Sequence, residues 1–106
     1  MGLFSKLFNL NTNEEYDNKI KDNNDFYMEI EDIFTITGRG TVLVGNIKSG
    51  TVYLNDKIYI NNIETKVLGI EMFRKKLDYA TSGDNVGLLL ENINRNDIKR
   101  GDIVRK

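Results

Sequence analysis

KVLGIEMFRKKLDYATSGDNVGLLLEN, residues 66–92, is the stretch whose reading decides the fold. It consists of two apolar-alternating runs joined by a polar loop. In the first run Leu68, Ile70 and Met72 fall on one face, with Glu71 and Phe73 on the other. In the second, Val86, Leu88 and Leu90 share a face, with Asn85, Gly87 and Leu89 opposite. Alternation of this kind is the pattern of a half-buried strand. The first set of each run is assigned to the core. The other face carries a carboxylate, an aromatic ring, an amide and an exposed leucine. That face reads either as a recognition surface or as the solvent side of a sheet.

The chain around this stretch has 106 residues, enough for one domain with one modest core. It contains no cysteine and no histidine, which excludes disulfides, zinc in its usual ligand sets and imidazole acid–base chemistry. No metal site and no cofactor are expected. The 15 basic and 16 acidic side chains nearly cancel, so net charge makes no case for nucleic acid. Their distribution is uneven: residues 1–35 hold 3 basic against 8 acidic, and residues 70–106 hold 8 basic against 6 acidic.

Residues 1–25 are assigned to an amphipathic N-terminal segment and a polar linker. In MGLFSKLFNL, Leu3, Phe4, Leu7 and Phe8 would share one face of a helix. The segment is too short to span a bilayer and lacks a signal-peptide cleavage site. A myristoylation pattern would need Ser or Thr at position 6, which is Lys6. Such a helix would pack on the domain, dock a partner or lie on a membrane surface. Residues 11–25 are almost wholly polar, and the domain is expected to run from 26 to 106.

From Phe26 onward every signal is β. Phe26, Met28 and Ile30 alternate, and Ile33, Phe34 and Ile36 continue after a change of phase at Asp32, the mark of a bulge. Gly38-Arg39-Gly40 is a turn with a glycine on each side of one residue. TVLVGNI, VYL and KIYI follow as strands, with turns at Ser49-Gly50, Leu54–Asp56 and Asn61-Asn62 and a last strand at Ile103-Val104. Asparagine suits such turns because it tolerates the left-handed region. Short strands with frequent turns read as a small closed antiparallel β-barrel.

Catalytic patterns are lacking. There is no G-x-x-x-x-G-K-[ST] loop, so neither GTP binding nor GTP hydrolysis is expected. Gly38 and Gly40 lie in a hairpin, not at the strand-to-helix junction a dinucleotide site requires. Glu31 and Asp32 are consecutive and would point to opposite faces of a strand, which argues against a paired-carboxylate centre. The expectation is a non-enzyme.

Four blocks, IEDIFTITGRGTVLVG, GIEMFRKKL, GDNVGLLL and DIKRGDIV, occur in an order and at spacings that resemble the second domain of bacterial elongation factor Tu. The resemblance covers Met28 to about Val104. It implies a six-stranded-type antiparallel barrel, here as a stand-alone small protein, since these 106 residues hold no counterpart of the family's nucleotide-binding and third domains. In that family the second domain holds the 3′ end of aminoacyl-tRNA. The resemblance therefore implies a terminal-adenosine pocket made by Ile36, Gly38, Val42, Glu71 and Leu89. It also implies aminoacyl-ester contacts from Arg74 and Asn85, an amino-acid pocket from Glu31, Asp32 and Phe34, and a 5′-phosphate contact from Arg100. Apolar side chains and bare glycine backbone suit a base, and a carboxylate can accept from a ribose hydroxyl.

This chain departs from the family pattern at three places. Val44 stands where threonine is frequent, Glu91-Asn92 where Arg-Gly is usual, and Asn55 at a usual turn glycine. Two readings follow. The first is an RNA-binding module for the tRNA acceptor end or the ribosome. The second is a protein-interaction or membrane-tethered adaptor that reuses the barrel as a scaffold and docks through residues 3–8. Either places the chain in the cytoplasm, the second with peripheral attachment to a membrane.

Overall fold

A computed structural model describes residues 25–106. The helix expected over Leu3, Phe4, Leu7 and Phe8, and the linker up to residue 24, lie outside the described residues. In chain order the strands are β1 (Tyr27–Ile36), β2 (Gly40–Ser49), β3 (Thr51–Tyr53), β4 (Lys57–Ile60), β5 (Ile63–Met72), β6 (Lys75–Leu77), β7 (Tyr79–Thr81), β8 (Asn85–Leu90) and β9 (Ile103–Arg105). The only helical turn among the described residues is a 3-10 turn at Arg95–Asp97, capped by the Asn94 side chain, which accepts from the Asn96 backbone N–H.

Six strands close an antiparallel ring in the order β4-β9-β1-β2-β8-β5, with β5 pairing back to β4. This is the closed barrel expected from the density of turns, and closure leaves no unpaired edge around the ring. The strand β6 folds back on β5 as a hairpin, and β3 pairs with β7 in a separate two-stranded ribbon. Ring interiors need alternate residues inside, and β2 supplies Thr41, Leu43, Gly45 and Ile47 in strict alternation. Met28, Ile30, Ile70, Val86, Leu88, Leu90 and Val104 complete the centre, with Val52 and Ala80 from the ribbon closing one side. Gly45 is obligatory here. A methyl group at this position would collide with the Glu29 carbonyl oxygen across the β1–β2 pair.

The ring has three register shifts, one at its margin between Tyr27 and Met28 and two bulges further in that bear on the site face. The β1–β2 register shifts between Ile30 and Asp32, where the sequence changes phase. Glu31 is the unpaired residue, and the backbone of Ile30 before it bonds to the 99–102 turn: its N–H donates to the Asp102 carbonyl (3.0 Å), and its carbonyl accepts from Gly101 (2.8 Å). The second bulge lies between Val67 and Gly69 on the β5–β8 pair. It corrects one expectation. Leu68, assigned to the core with Ile70, is 42% exposed, and Val67 is buried in its place. One extra residue in a strand flips every side chain on one side of it. Met72, also assigned inward, is only half-buried at the edge of the core. Two-residue turns close both hairpins of β5. Asn61 and Asn62 (φ 51° and 68°) join β4 to β5, as the paired asparagines predict.

Asp102 anchors the turn that covers the first bulge. Its buried carboxylate accepts from Asn61 Nδ2 (2.8 Å) and the Lys99 backbone N–H (2.9 Å), and Lys99 Nζ stands 3.2 Å away. Burial alone would push this carboxyl up. The hydrogen bonds from Asn61 and Lys99, with the Lys99 charge, outweigh that and hold it below the usual carboxylate value. A carboxyl depressed in the folded state stabilises the fold above its unfolded pKa of about 3.9, and the contribution is lost as pH falls through the lower folded value. In thermal melts, the advantage of the wild type over Asp102→Asn is expected at pH 6 and is expected to shrink towards pH 3. An advantage that stays constant with pH would assign the loop's stability to other contacts.

Core assignment carries its own test. Leu88→Ala is expected to cost about 2–5 kcal/mol in urea denaturation, the cost of emptying a packed interior site. Leu68→Ala is expected to stay within about 0.5 kcal/mol of wild type, as surface substitutions do.

Candidate functional site

The outer face of β1, β2, β8 and β5 is a sheet surface whose residues line up in rows, because the register is continuous across the four strands. One row reads Phe34, Val42, Leu89, Gly69. The next reads Asp32, Val44, Gly87, Glu71, continuing to Lys76 on β6. Successive rows on one face are about 6.6 Å apart along the strands. In most sheets such a face is level. Here Gly69 and Gly87 leave gaps in it, and the side chains of Leu89 and Val42 border them. A Cβ on Gly69 would lie 3.6 Å from Leu89 Cβ, and one on Gly87 would lie 3.5 Å from Val42 Cγ1.

The result is a cleft of about 340 Å³ floored by Val42, Gly69, Gly87 and Leu89. Ile36 and Leu54 stand at its apolar rim beside Leu68. Glu71 and Asp78 bring carboxylates to it, and Arg39 and Lys76 bring cations. A concave, mostly apolar surface with a few convergent polar groups is the usual form of a small-ligand or base-binding site.

Four of the five residues assigned to the adenosine pocket, Ile36, Val42, Glu71 and Leu89, line this one cleft. Gly38 does not. It occupies the β1–β2 turn at φ 80°, with nothing within 4 Å of where a Cβ would be, so its role is to let the chain reverse. Of the remaining assigned residues, all but Arg74 gather beside the cleft. Phe34 is the cross-strand neighbour of Val42 in the first row. Asn85 pairs with Asn46 in a further row, and its Nδ2 donates to Asn46 Oδ1 (2.9 Å) and to Glu31 Oε1 (3.2 Å). Arg100 reaches Asp32 at 3.3 Å, so the basic residue is paired with an acidic one assigned to a different contact. Arg100 is exposed and Asp32 partly so.

Arg74 lies apart, at the tip of the β5–β6 hairpin. Met72 pairs with Lys75, so Phe73 and Arg74 are the two central residues of the turn. Both have positive φ, 53° and 65°. Such turns favour Asn-Gly, because a residue with a Cβ in the left-handed region costs about 1–2 kcal/mol. Phe73 is 88% exposed, so packing does not repay that cost. The alternation pattern had placed Phe73 on the outer face of a continuing strand; the chain reverses there instead. The cleft residues that sequence reasoning missed are Arg39, Leu54, Leu68, Gly69, Lys76, Asp78 and Gly87, together with Ile70 and Leu77 at its back. A glycine opposite a leucine in each strand was visible, but its value as a gap depends on register.

Replacing the turn with Phe73→Asn and Arg74→Gly is expected to raise stability by about 1–2 kcal/mol, by removing the left-handed strain. Chemical denaturation measures it; an unchanged or lower midpoint would show that the two side chains stabilise the hairpin in a way their exposure hides.

Comparison with known proteins agrees with the fold. The sequence model of elongation factor Tu domain 2 matches residues 40–105, more than half of the chain. The apicoplast elongation factor Tu of Plasmodium falciparum (isolate 3D7) is 54% identical over 90 residues, covering 79% of this chain and 22% of that protein. Among solved structures, translation elongation factor SelB from Methanococcus maripaludis in its apo form superposes with a TM-score of 0.73 at 33% identity, over 77% of this chain and 19% of that one. The chain thus spans 22% of the length of the curated relative and 19% of the structural one.

Proposed function

The chain belongs to the elongation factor Tu domain 2 family, and from that premise we propose that its barrel binds the 3′ end of an RNA, with the terminal adenosine in the Ile36–Val42–Glu71–Leu89 cleft. As a family member it is a translation-factor-like module. The observation that carries the finer reading is the cleft itself. Residues matched one by one to an adenosine pocket, from four different strands, line a single concavity of about 340 Å³ with a carboxylate on its wall. The apolar floor takes the base, and Glu71 accepts from a ribose hydroxyl, the group that distinguishes RNA from DNA.

Affinity is set by how few contacts one cleft offers. A base stacked on protein contributes about 1–3 kcal/mol, against an association cost of about 4–15 kcal/mol. Phosphate contacts from Arg39 and Lys76 at the cleft and from Arg100 beside Asp32 bring the dissociation constant to the order of 0.1–1 mM. Three such contacts on single-stranded RNA give a log–log salt slope of about −2. Whole factors in the family join three domains, and the linked grips multiply into far tighter binding.

Titration of the labelled protein with a CCA-ended oligonucleotide, followed by NMR, tests the reading. Shifts are expected at Ile36, Val42, Glu71 and Leu89, weakened in Glu71→Ala and Leu89→Ala. Gly69→Ala and Gly87→Ala are sharper variants. Neither glycine has positive φ and neither methyl would clash, so the fold survives while the cleft fills. Each is expected to weaken binding at least several-fold with no loss of melting temperature. Shifts confined to the Phe73–Lys76 tip, or binding indifferent to both glycine variants, would overturn the assignment of the cleft.

A further inference from the structure

The ribbon of β3 and β7 carries a feature that the RNA reading does not use. Its inner face is Val52 and Ala80, both buried in the core. Its outer face presents Tyr53 and Tyr79, directly paired across the two strands with ring centroids 5.9 Å apart. They are 52% and 57% exposed, and Leu54 beside them is exposed as well. Lys106 stands over one face of Tyr53, 5.2 Å from the ring centroid, with its ammonium held by the Thr51 carbonyl (2.8 Å) and Asp56 (3.0 Å). Two paired tyrosines, their rings tilted by 34°, and an exposed leucine form a small apolar platform of the kind that serves as an interaction site.

We propose that this platform is the docking site for the chain's own N-terminal segment, with Leu3, Phe4, Leu7 and Phe8 laid over Tyr53, Tyr79 and Leu54. Two observations select this occupant. First, the chain leaves the barrel beside the ribbon. The Asp25 carbonyl accepts from Ser49 Oγ (2.7 Å), and Ser49 precedes Thr51, the first residue of β3, by only two positions. Four residues of chain from Ser49 to Tyr53 span at most about 14 Å. The 16 residues between Phe8 and Asp25 can reach on the order of 50 Å, so the tether easily covers the distance. The cleft is farther off: Val42 lies seven residues back along β2 from Ser49, about 23 Å. Second, the composition matches. Four large apolar side chains are concentrated in residues 3–8, and the next 17 residues up to Asp25 hold only three aliphatic or aromatic ones, Leu10, Tyr16 and Ile20. Tethering makes the contact intramolecular, with an effective concentration in the millimolar range, which suits a platform of this small size. Leu54 belongs to both surfaces, so the docked segment would border the cleft rim.

The chain has no cysteine, so Ser5→Cys creates a single attachment point for a nitroxide spin label. In a dilute sample of the 106-residue chain, several-fold loss of amide signal intensity is expected at Tyr53, Leu54, Tyr79 and Ala80. The Tyr53→Ser, Tyr79→Ser double variant, which touches only exposed side chains, is expected to keep its melting temperature and abolish the effect. A sample mixing spin-labelled unenriched copies with unlabelled enriched copies is expected to show none. Signal loss centred on Val42 and Leu89, or weak and uniform loss, would overturn the assignment. Transfer of the effect to the mixed sample would replace the intramolecular contact with one between two copies.

Discussion

Closure of the ring depends on three residues, Ile103–Arg105. Strand β9 fills the gap between β1 and β4, pairing Val104 with Met28 on one side and with Ile60 on the other. Without it β1 and β4 would each present an open row of N–H and C=O groups, and Met28, Ile60 and Val104 would lose their common cover. So short a strand cannot hold its register by its own length. The turn before it does so. Asp102 ties that turn to Asn61 in the β4–β5 hairpin through its side chain and to Ile30 of β1 through its backbone carbonyl. Both strands that β9 must join are thus fixed relative to each other before β9 begins.

The same clamp explains why the site face is ordered. The first bulge leaves Glu31 without a partner on β2, and beside it the turn takes both backbone groups of Ile30. With the bulge accommodated there, Asp32 and Phe34 resume a regular register with Val44 and Val42. The rows across β1, β2, β8 and β5 follow from that register. Glu31, Asn85, Asp32 and Arg100 then meet in pairs although 54 and 68 positions separate the partners in sequence.

Much of this was legible from residues alone, for identifiable reasons. Val86, Leu88 and Leu90 alternate in a strand with no irregularity, so period alone places them inside. Asn61-Asn62 and Gly38–Gly40 declare their turns through residue types that tolerate positive φ. The change of phase at Asp32 is written in the order of apolar residues. The bulge at Leu68 is not, because Leu68, Gly69 and Ile70 keep an uninterrupted alternation of large apolar side chains whichever face they take. Phe73-Arg74 hides a turn for a related reason: neither residue advertises the conformation it adopts. Of the adenosine set, four positions converge and Gly38 stays in its turn, a difference that only the spatial position of the hairpin decides.

What separates this face from the plain outside of a barrel is the absence of side chains at two places. A sheet surface made of Val42, Leu89 and larger neighbours would be level, and a planar base could only lie on top of it. Gly69 is the cross-strand partner of Leu89, Gly87 lies in the next row within reach of Val42, and the two remove the atoms that would fill the space. Glycine in a strand interior weakens it, and closure by hydrogen bonds around the ring is what lets β5 and β8 tolerate it. Shape therefore comes from the backbone and polarity from Glu71, in the same row as Gly87. The recess is lined by apolar side chains, with Ile36 and Leu54 among them, and the two glycines give it depth for the face of a ring. An apolar floor opened by two glycines, joined to the carboxylate of Glu71, is the arrangement on which the proposed nucleoside site rests. The tyrosine platform has no such glycine-opened recess, and that difference underlies the separate occupant proposed for it.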